Sequence, residues 1–302
     1  MRQRSRKIAL LAERGFEPAG ALRFPFARLM TATLVKDALE EDAADDDITS
    51  IATVLSDRRE RCSIVARRDG VVAGIPLARE AFRQRDPSAS VRAAVKDGQK
   101  VVAGTPVLFV SGHARGLLSA ERVALNFMQR LSGIASLTRQ FVDTVEGTGT
   151  KILDTRKTTP GWRRLEKYAV RAGGGMNHRR DLGSAILIKD NHIAAVDGDI
   201  ARAVRRAREI APPKMRVEVE CDNIDQVRAA LDAAPDVIML DNMDLKALRE
   251  AVRLIDGRAV SEASGGVSLQ TARGIAGTGV DWISVGALTH SAPALDLGLD
   301  FL

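Results

Sequence analysis

After about Gly147 the chain alternates short apolar runs with helical stretches. The later runs end roughly 20 residues apart, the length of a minimal βα unit. The runs are Ile152-Leu153, Ala185 to Ile188, Val217 to Val219, Val237 to Leu240, Ala259-Val260 and Trp282 to Val285. Helices are expected over Ile200 to Ile210, Ile224 to Ala233, Leu245 to Leu254 and Leu269 to Ile275. Repeated βα units force the strands parallel, in a barrel or an open doubly wound sheet. Polar residues gather at one end of each run. In order they are Asp154 to Gly161, Lys189-Asp190-Asn191-His192, Glu220, Asp241-Asn242, Glu262 to Gly266, and Gly286 with Thr289-His290. Barrels build their active sites at the C-terminal strand ends, so a barrel is the favoured architecture and a site is expected there.

The preceding segment, 31–127, reads as a small α/β domain. A helix from Thr31 leads into the acidic turn Glu40 to Asp47. Strands are expected at Cys62 to Ala66, Val71 to Gly74 and Val91 to Val95, with a helix over Pro76 to Gln84. A second helix, Leu117 to Leu131, is expected to stop at Ser132-Gly133. The expected division is an extension over 1–30, the small domain over 31–127, the barrel over 128–289 and a tail over 290–302 returning to the small domain. The basic start, Met1 to Lys7, reads as a solvated extension, with a transit peptide as the alternative.

Composition narrows the function classes. No run of about 18 apolar residues exists, which excludes a helical membrane span. The two cysteines, Cys62 and Cys221, form no CxxC pair, which excludes a disulfide scaffold or zinc finger and fits a reducing, cytoplasmic setting. Lys+Arg exceeds Asp+Glu by 45 − 39 = 6, which favours anionic partners. Aromatics at 4% argue against a platform for stacking single-stranded bases, and the basic helix Arg202 to Arg208 reads as a solvated face. No nucleic-acid partner is expected.

Arg156, Lys157, Arg179 and Lys189, with His178 nearby, form a cationic set suited to a substrate of several negative charges. The competing expectation is that some pair with Asp154, Asp181 or Asp190. Glu218 and Glu220 alternate with Val217, Val219 and Cys221, so the carboxylates share one strand face and point into the barrel. Arg216 is in phase with them and can neutralise Glu218. Glu220 and Asp241 can bind ribose hydroxyls, hold a hard cation such as Mg²⁺, or stabilise a developing carbocation. Asp241-Asn242 can instead cap a helix. Ser264-Gly265-Gly266 and Gly286-Ala287 suit backbone approach to a phosphate.

Four longer motifs carry a resemblance. They are Asp154 to Gly161, Leu165 to Val170, Gly173 to Arg179, and Leu187-Ile188-Lys189-Asp190-Asn191-His192. With Glu121-Arg122 to Asn126, Leu131 to Ala135 and Glu262 to Gly266, the chain from about Leu39 onward resembles the quinolinate phosphoribosyltransferases. The resemblance implies a small N-terminal α/β sandwich domain plus a partly open (β/α) barrel with parallel strands. It implies quinolinate and phosphoribosyl pyrophosphate as substrates, Mg²⁺ as cofactor, and nicotinate mononucleotide, pyrophosphate and CO₂ as products. It implies that Arg122, Thr155, Arg156, His178, Arg179 and Lys189 bind the pyridine dicarboxylate. Arg122 would reach across subunits of a homodimer or dimer-based hexamer. Lys157, Glu220 and Asp241 would be catalytic and hold phosphoribosyl pyrophosphate, with Mg²⁺ on the substrate or on Glu220 and Asp241. Ser264, Gly265, Gly266, Gly286 and His290 would cradle the 5′-phosphate. The chain departs from the family pattern at Arg180-Asp181-Leu182 and at Ser184. The new carboxylate of Asp181 can pair with Arg179, weakening the acid pocket, or outward with Arg180. The rivals are a molybdenum-transport-associated relative of the same fold, a Schiff-base aldolase using Lys189, and a nucleic-acid binder.

Overall fold

The computed structural model describes residues 21–302; Met1 to Lys7 and most of the expected 1–30 extension, with its transit-peptide alternative, lie outside the described residues. The described chain divides into two compact units. One comprises residues 21–139, 160–174 and 291–302, the other 140–159 and 175–290.

The first unit opens with helix α1 (Arg28–Glu41), which begins three residues ahead of the expected domain boundary, followed by α2 (Ile48–Thr53). Its strands are β1 (Arg59–Ala66), β2 (Gly70–Val71), β3 (Ser90–Ala93), β4 (Lys100–Val101) and β5 (Pro106–His113), with α3 (Ile75–Arg85) after β2. α4 (Ala114–Thr144) follows β5. The last strand of the chain, β12 (Leu297–Phe301), pairs antiparallel with β1, Cys62 opposite Phe301 and Ala66 opposite Leu297. The resulting sheet order is β12-β1-β5-β3. Ile64, Leu77, Phe82, Leu108, Leu117 and Met128 are fully buried and supply the core. The Asp97 carboxylate accepts the N–H groups of Gly74 and Ile75 at the start of α3 and the Tyr168 hydroxyl at 2.6 Å.

The expected helix stop at Ser132-Gly133 is not a stop: α4 runs on to Thr144. Both residues are packing solutions. Ser132 Oγ donates to Ala73 O and accepts from Ala73 N–H. A Cβ on Gly133 would sit 2.0 Å from Pro293 O, so only a bare backbone lets the returning tail lie against the helix. That close approach outweighs the roughly 1 kcal/mol that glycine costs inside a helix. Gly133→Ala is therefore expected to destabilise the protein by about 3 kcal/mol through forced displacement of the tail, read as a lower denaturant midpoint. An unchanged midpoint would mean that the tail is not held there.

The second unit contains β6 (Lys151–Leu153), β7 (Ile186–Ile188), β8 (Val217–Cys221), β9 (Val237–Asp241), β10 (Val260–Ser264) and β11 (Trp282–Ser284). α5 (Arg163–Ala172), between β6 and β7, belongs to the first unit. The six strands form one parallel sheet in the order β6-β11-β10-β9-β8-β7. The sheet is open, with β6 and β7 as its edges, as a partly open barrel requires. The fifth strand is longer than the expected Ala259-Val260 and takes in Glu262 and Ser264.

α6 (Asp190–Ala194), α7 (Ile200–Ile210), α8 (Ile224–Asp232), α9 (Leu245–Ile255), α10 (Leu269–Ala276) and α11 (Ala287–His290) fill the connections. Side chains of Asp199, Asn223, Asp244 and Ser268 cap α7 to α10. Asp244 caps α9, so Asp241 is not spent as a helix cap.

Register sets the faces. Glu218 lies opposite Val237, and Glu220 opposite Met239, which in turn lies opposite Glu262. Val237, Val260 and Trp282, with Leu153 and Met176, form an apolar cluster on this same face. The alternate residues Ile238, Leu240 and Ile283 are fully buried on the other face, where the helices pack. All six strands end at one edge, which brings their C-terminal residues together.

Candidate active site

Asp154 directly follows β6 and is completely buried. Its carboxylate accepts the His178 N–H at 2.8 Å and Asn177 Nδ2 at 2.6 Å. Its own N–H donates to Met176 O, so the segment before Arg179 is stitched to the end of β6. Asp154 thus anchors the loop that carries Arg179.

Arg179 is half-buried, and its Nη1 donates to Ala185 O at 3.2 Å. Burial, and then the like charge of Arg156, lower its basicity, which places two guanidinium groups within electrostatic reach of each other. Such a pair is costly without an anion between them. Asp181 turns outward. Its carboxylate accepts Arg180 Nε at 2.9 Å and the Gly183 N–H, and the Asp181 N–H donates to Ser184 Oγ. The hydrogen bond from Arg180 holds the Asp181 carboxyl below the ordinary range. Both departures from the family pattern are therefore used within their own loop.

Lys189, just after β7, forms an ion pair with Glu220 at the end of β8. Burial raises the Glu220 carboxyl above its ordinary range; Lys189 opposes this, and Asp241 and Asp190 add to it. Oxygen atoms of Glu220, Asp222 and Asp241 all lie within 4.8 Å of one another. Asp222 was not singled out in the sequence, although it is the next residue in phase after Glu218 and Glu220. The period-2 pattern extended by one step would have found it.

Gly265 has φ +91°, and a Cβ there would meet Asn242 Oδ1 at 2.1 Å. The Asn242 N–H donates to Ser264 O, locking the ends of β9 and β10 together. Gly266, with φ +55°, faces open space. At Gly286 a Cβ would meet His290 Nε2 at 3.1 Å and Lys157 Cδ at 3.2 Å. Thr289 Oγ1 donates to Lys157 O at 2.7 Å. Lys157, Gly286 and His290 therefore share one corner. Thr155 Oγ1 accepts the Lys157 N–H, which shapes the same loop. Arg122 is exposed on α4, in the first unit.

Beneath this edge lies a cluster whose cooperation the sequence did not reveal. His178 Nε2 is 3.1 Å from Glu218 Oε2 and 3.5 Å from Glu262 Oε1, and Arg216 Nη2 is 3.4 Å from Glu218 Oε2. All four residues are buried, and the predicted neutralisation of Glu218 by Arg216 is present.

A parallel sheet that gathers several cations, three neighbouring carboxylates and glycine-opened backbone at one edge defines an enzyme that handles polyanionic small molecules. Comparison with known proteins narrows this. The family model for the quinolinate phosphoribosyl transferase C-terminal domain matches residues 134–300, and that for its N-terminal domain matches residues 47–132. The chain is 47% identical over 274 residues to nicotinate-nucleotide pyrophosphorylase [carboxylating] of Mycobacterium leprae, covering 88% of this chain and 95% of that one. It is 45% identical over 284 residues to mitochondrial quinolinate phosphoribosyltransferase [decarboxylating] 2b of Nicotiana tabacum, covering 88% and 80%. The solved nicotinate-nucleotide pyrophosphorylase of Francisella tularensis superposes with a TM-score of 0.86 at 39% identity, covering 92% of this chain and 98% of that one. The chain belongs to the quinolinate phosphoribosyltransferase family.

Proposed function

We propose that this chain transfers the phosphoribosyl group of phosphoribosyl pyrophosphate to quinolinate with loss of CO₂, and that the roles at the sheet edge divide between the two substrates. The observation that carries this division is the proximity of two guanidinium groups, Arg156 and Arg179, near the ends of the strands. A pyridine dicarboxylate carries two negative charges to set against this pair. Thr155, His178 and Lys189 complete its pocket, with Arg122 donated by a second copy of the chain.

Phosphoribosyl pyrophosphate occupies the other half. Lys157 and His290 stand where Gly286 leaves room, and Ser264, Gly265 and Gly266 offer backbone to the 5′-phosphate. Glu220 and Asp241 face the ribose. The bond from the anomeric carbon to pyrophosphate breaks, pyrophosphate keeping the electron pair, and the two carboxylates stabilise the oxocarbenium-like centre. The pyridine nitrogen then bonds to that carbon. The adjacent carboxylate leaves as CO₂, its electron pair stays on the cationic ring, and a proton takes its place to give nicotinate mononucleotide. Holding both substrates in register is worth about 7–11 kcal/mol.

Glu220, Asp222 and Asp241 form an all-oxygen set that fits a hard divalent cation. Mg²⁺ bound there would supply neutralisation of pyrophosphate. The chain's own contribution is to free Glu220, which requires Lys189 to exchange its carboxylate partner for the incoming acid.

Among the described residues no helix is long and apolar enough to cross a membrane. Both cysteines are unpaired and buried, and burial pushes each thiol up to about 12, which suits a reducing cytoplasm. The reaction is tested with purified protein, Mg²⁺ and both substrates, following nicotinate mononucleotide and CO₂. Formation that needs every component supports the proposal; turnover of nicotinate in place of quinolinate overturns it. The shared site has its own test. Arg122→Ala and Arg156→Ala proteins, each strongly impaired alone at limiting quinolinate, are expected to regain partial activity when mixed, because one site of each hybrid dimer is intact. No recovery after verified subunit exchange would place Arg122 outside the active site.

A further inference from the structure

Two fully buried carboxylates on one sheet face are an expensive arrangement, since each must be taken out of water. Glu218 has Arg216 at 3.4 Å, and Glu262 has the His178 ring at 3.5 Å. None of these three carboxylate or imidazole groups ends a strand at the open edge, yet they lie directly below it. His178 is the link. Its main-chain N–H is held by Asp154, its Nε2 faces the two carboxylates, and its Nδ1 accepts the N–H of Arg179 at 2.8 Å.

A ring nitrogen that accepts an N–H carries no proton, so His178 is the Nε2–H form and both ring nitrogens are engaged inside the protein. We infer that Glu218 and Glu262 are positioning residues for the acceptor acid, holding His178 as a strut that fixes the main chain of Arg179. On this assignment, which rests on the quinolinate reading above, His178 contributes to the acid pocket through Arg179 and not through its own ring nitrogens.

The electrostatics agree. Burial lowers the basicity of His178, but the carboxylates of Glu218 and Glu262 outweigh it. Burial and the neighbouring Glu218 push the Glu262 carboxyl up to about 7. A proton is therefore welcome in the cluster, and the Arg179 N–H bars it from Nδ1. The buried Arg216 supplies the remaining positive charge, 5.8 Å from the Trp282 ring centre as well as beside Glu218.

The test compares Glu218→Ala, which removes the acceptor for Nε2–H, with Glu218→Gln, which keeps one. Wild-type turnover of quinolinate is measured first; its absence would defeat the reaction assignment and leave the strut to be judged by spectroscopy. With turnover present, Glu218→Ala is expected to raise the KM for quinolinate about 10- to 100-fold, the scale of a small misplacement of a binding group. The Kd for phosphoribosyl pyrophosphate should stay near wild type, and Glu218→Gln should recover most of the loss. An unchanged quinolinate KM, or equal loss for both substrates, would overturn the inference.

A second measurement reads the tautomer in the wild-type protein itself. The chain has four histidines, and long-range ¹H–¹⁵N spectra of the wild type resolve their tautomers, His178 being assigned by the signal missing in His178→Gln. The expected result at pH 7 is a protonated Nε2 and a bare Nδ1. A proton on Nδ1 would overturn the inference.

Discussion

Arg156→Ala is expected to raise the KM for quinolinate about 100- to 1000-fold while leaving the affinity for phosphoribosyl pyrophosphate nearly intact. The guanidinium lies close enough to Arg179 to lower that group's basicity. On the proposed assignment the two cations share one dianion, and truncating one partner of a desolvated charge pair costs roughly 2–5 kcal/mol. At about 1.4 kcal/mol per factor of ten, the middle of that range gives the stated loss. The asymmetry between substrates is the decisive part. Phosphoribosyl pyrophosphate is assigned to Lys157, His290 and the glycine-opened backbone, none of which uses Arg156. Steady-state kinetics with each substrate varied, together with calorimetric binding of each alone, read both effects. Equal loss for the two substrates would mean that Arg156 holds the loop rather than the acid.

Glu220→Gln is the second large effect, and it falls on turnover. Removing one preorganised electrostatic partner of a developing charge costs about 100- to 1000-fold in kcat. The KM for either substrate should move far less, since the neutral amide keeps the size and most hydrogen bonds of the carboxylate. The same residue predicts a pH effect with a definite sign. Burial holds the Glu220 carboxyl above the ordinary glutamate range in the free protein. The charged form is then lost as pH falls through that raised value, so the acid limb of kcat/KM lies higher than an unperturbed glutamate would place it. The limb should be absent from the profile of the Gln variant. A limb that persists unchanged belongs to another group.

Much of the fold was legible because its signals are local. Alternation in Val217-Glu218-Val219-Glu220 assigned the carboxylates to one face, and register with Val237 and Met239 bears that out. The 3.6-residue periods of α7 to α10 and the βα spacing placed the parallel strands within a few residues. Extending the same alternation would have reached Asp222, which lies with Glu220 and Asp241. The misread helix stop shows the limit. Ser132-Gly133 carries a stop signal locally, but its meaning is set by Ala73 and Pro293, which meet it only in the folded chain.

The order of βα units, the sheet face of each carboxylate and the identity of the cationic set are properties of short stretches of sequence, because side-chain period and residue type determine them. The partner of each charge is not. That Asp154 grips Asn177 and His178, that Asp181 meets Arg180, and that Lys189 meets Glu220 were decided by the tertiary structure. Desolvated charges choose partners by distance and burial, and both exist only once separate strands have been brought to one edge.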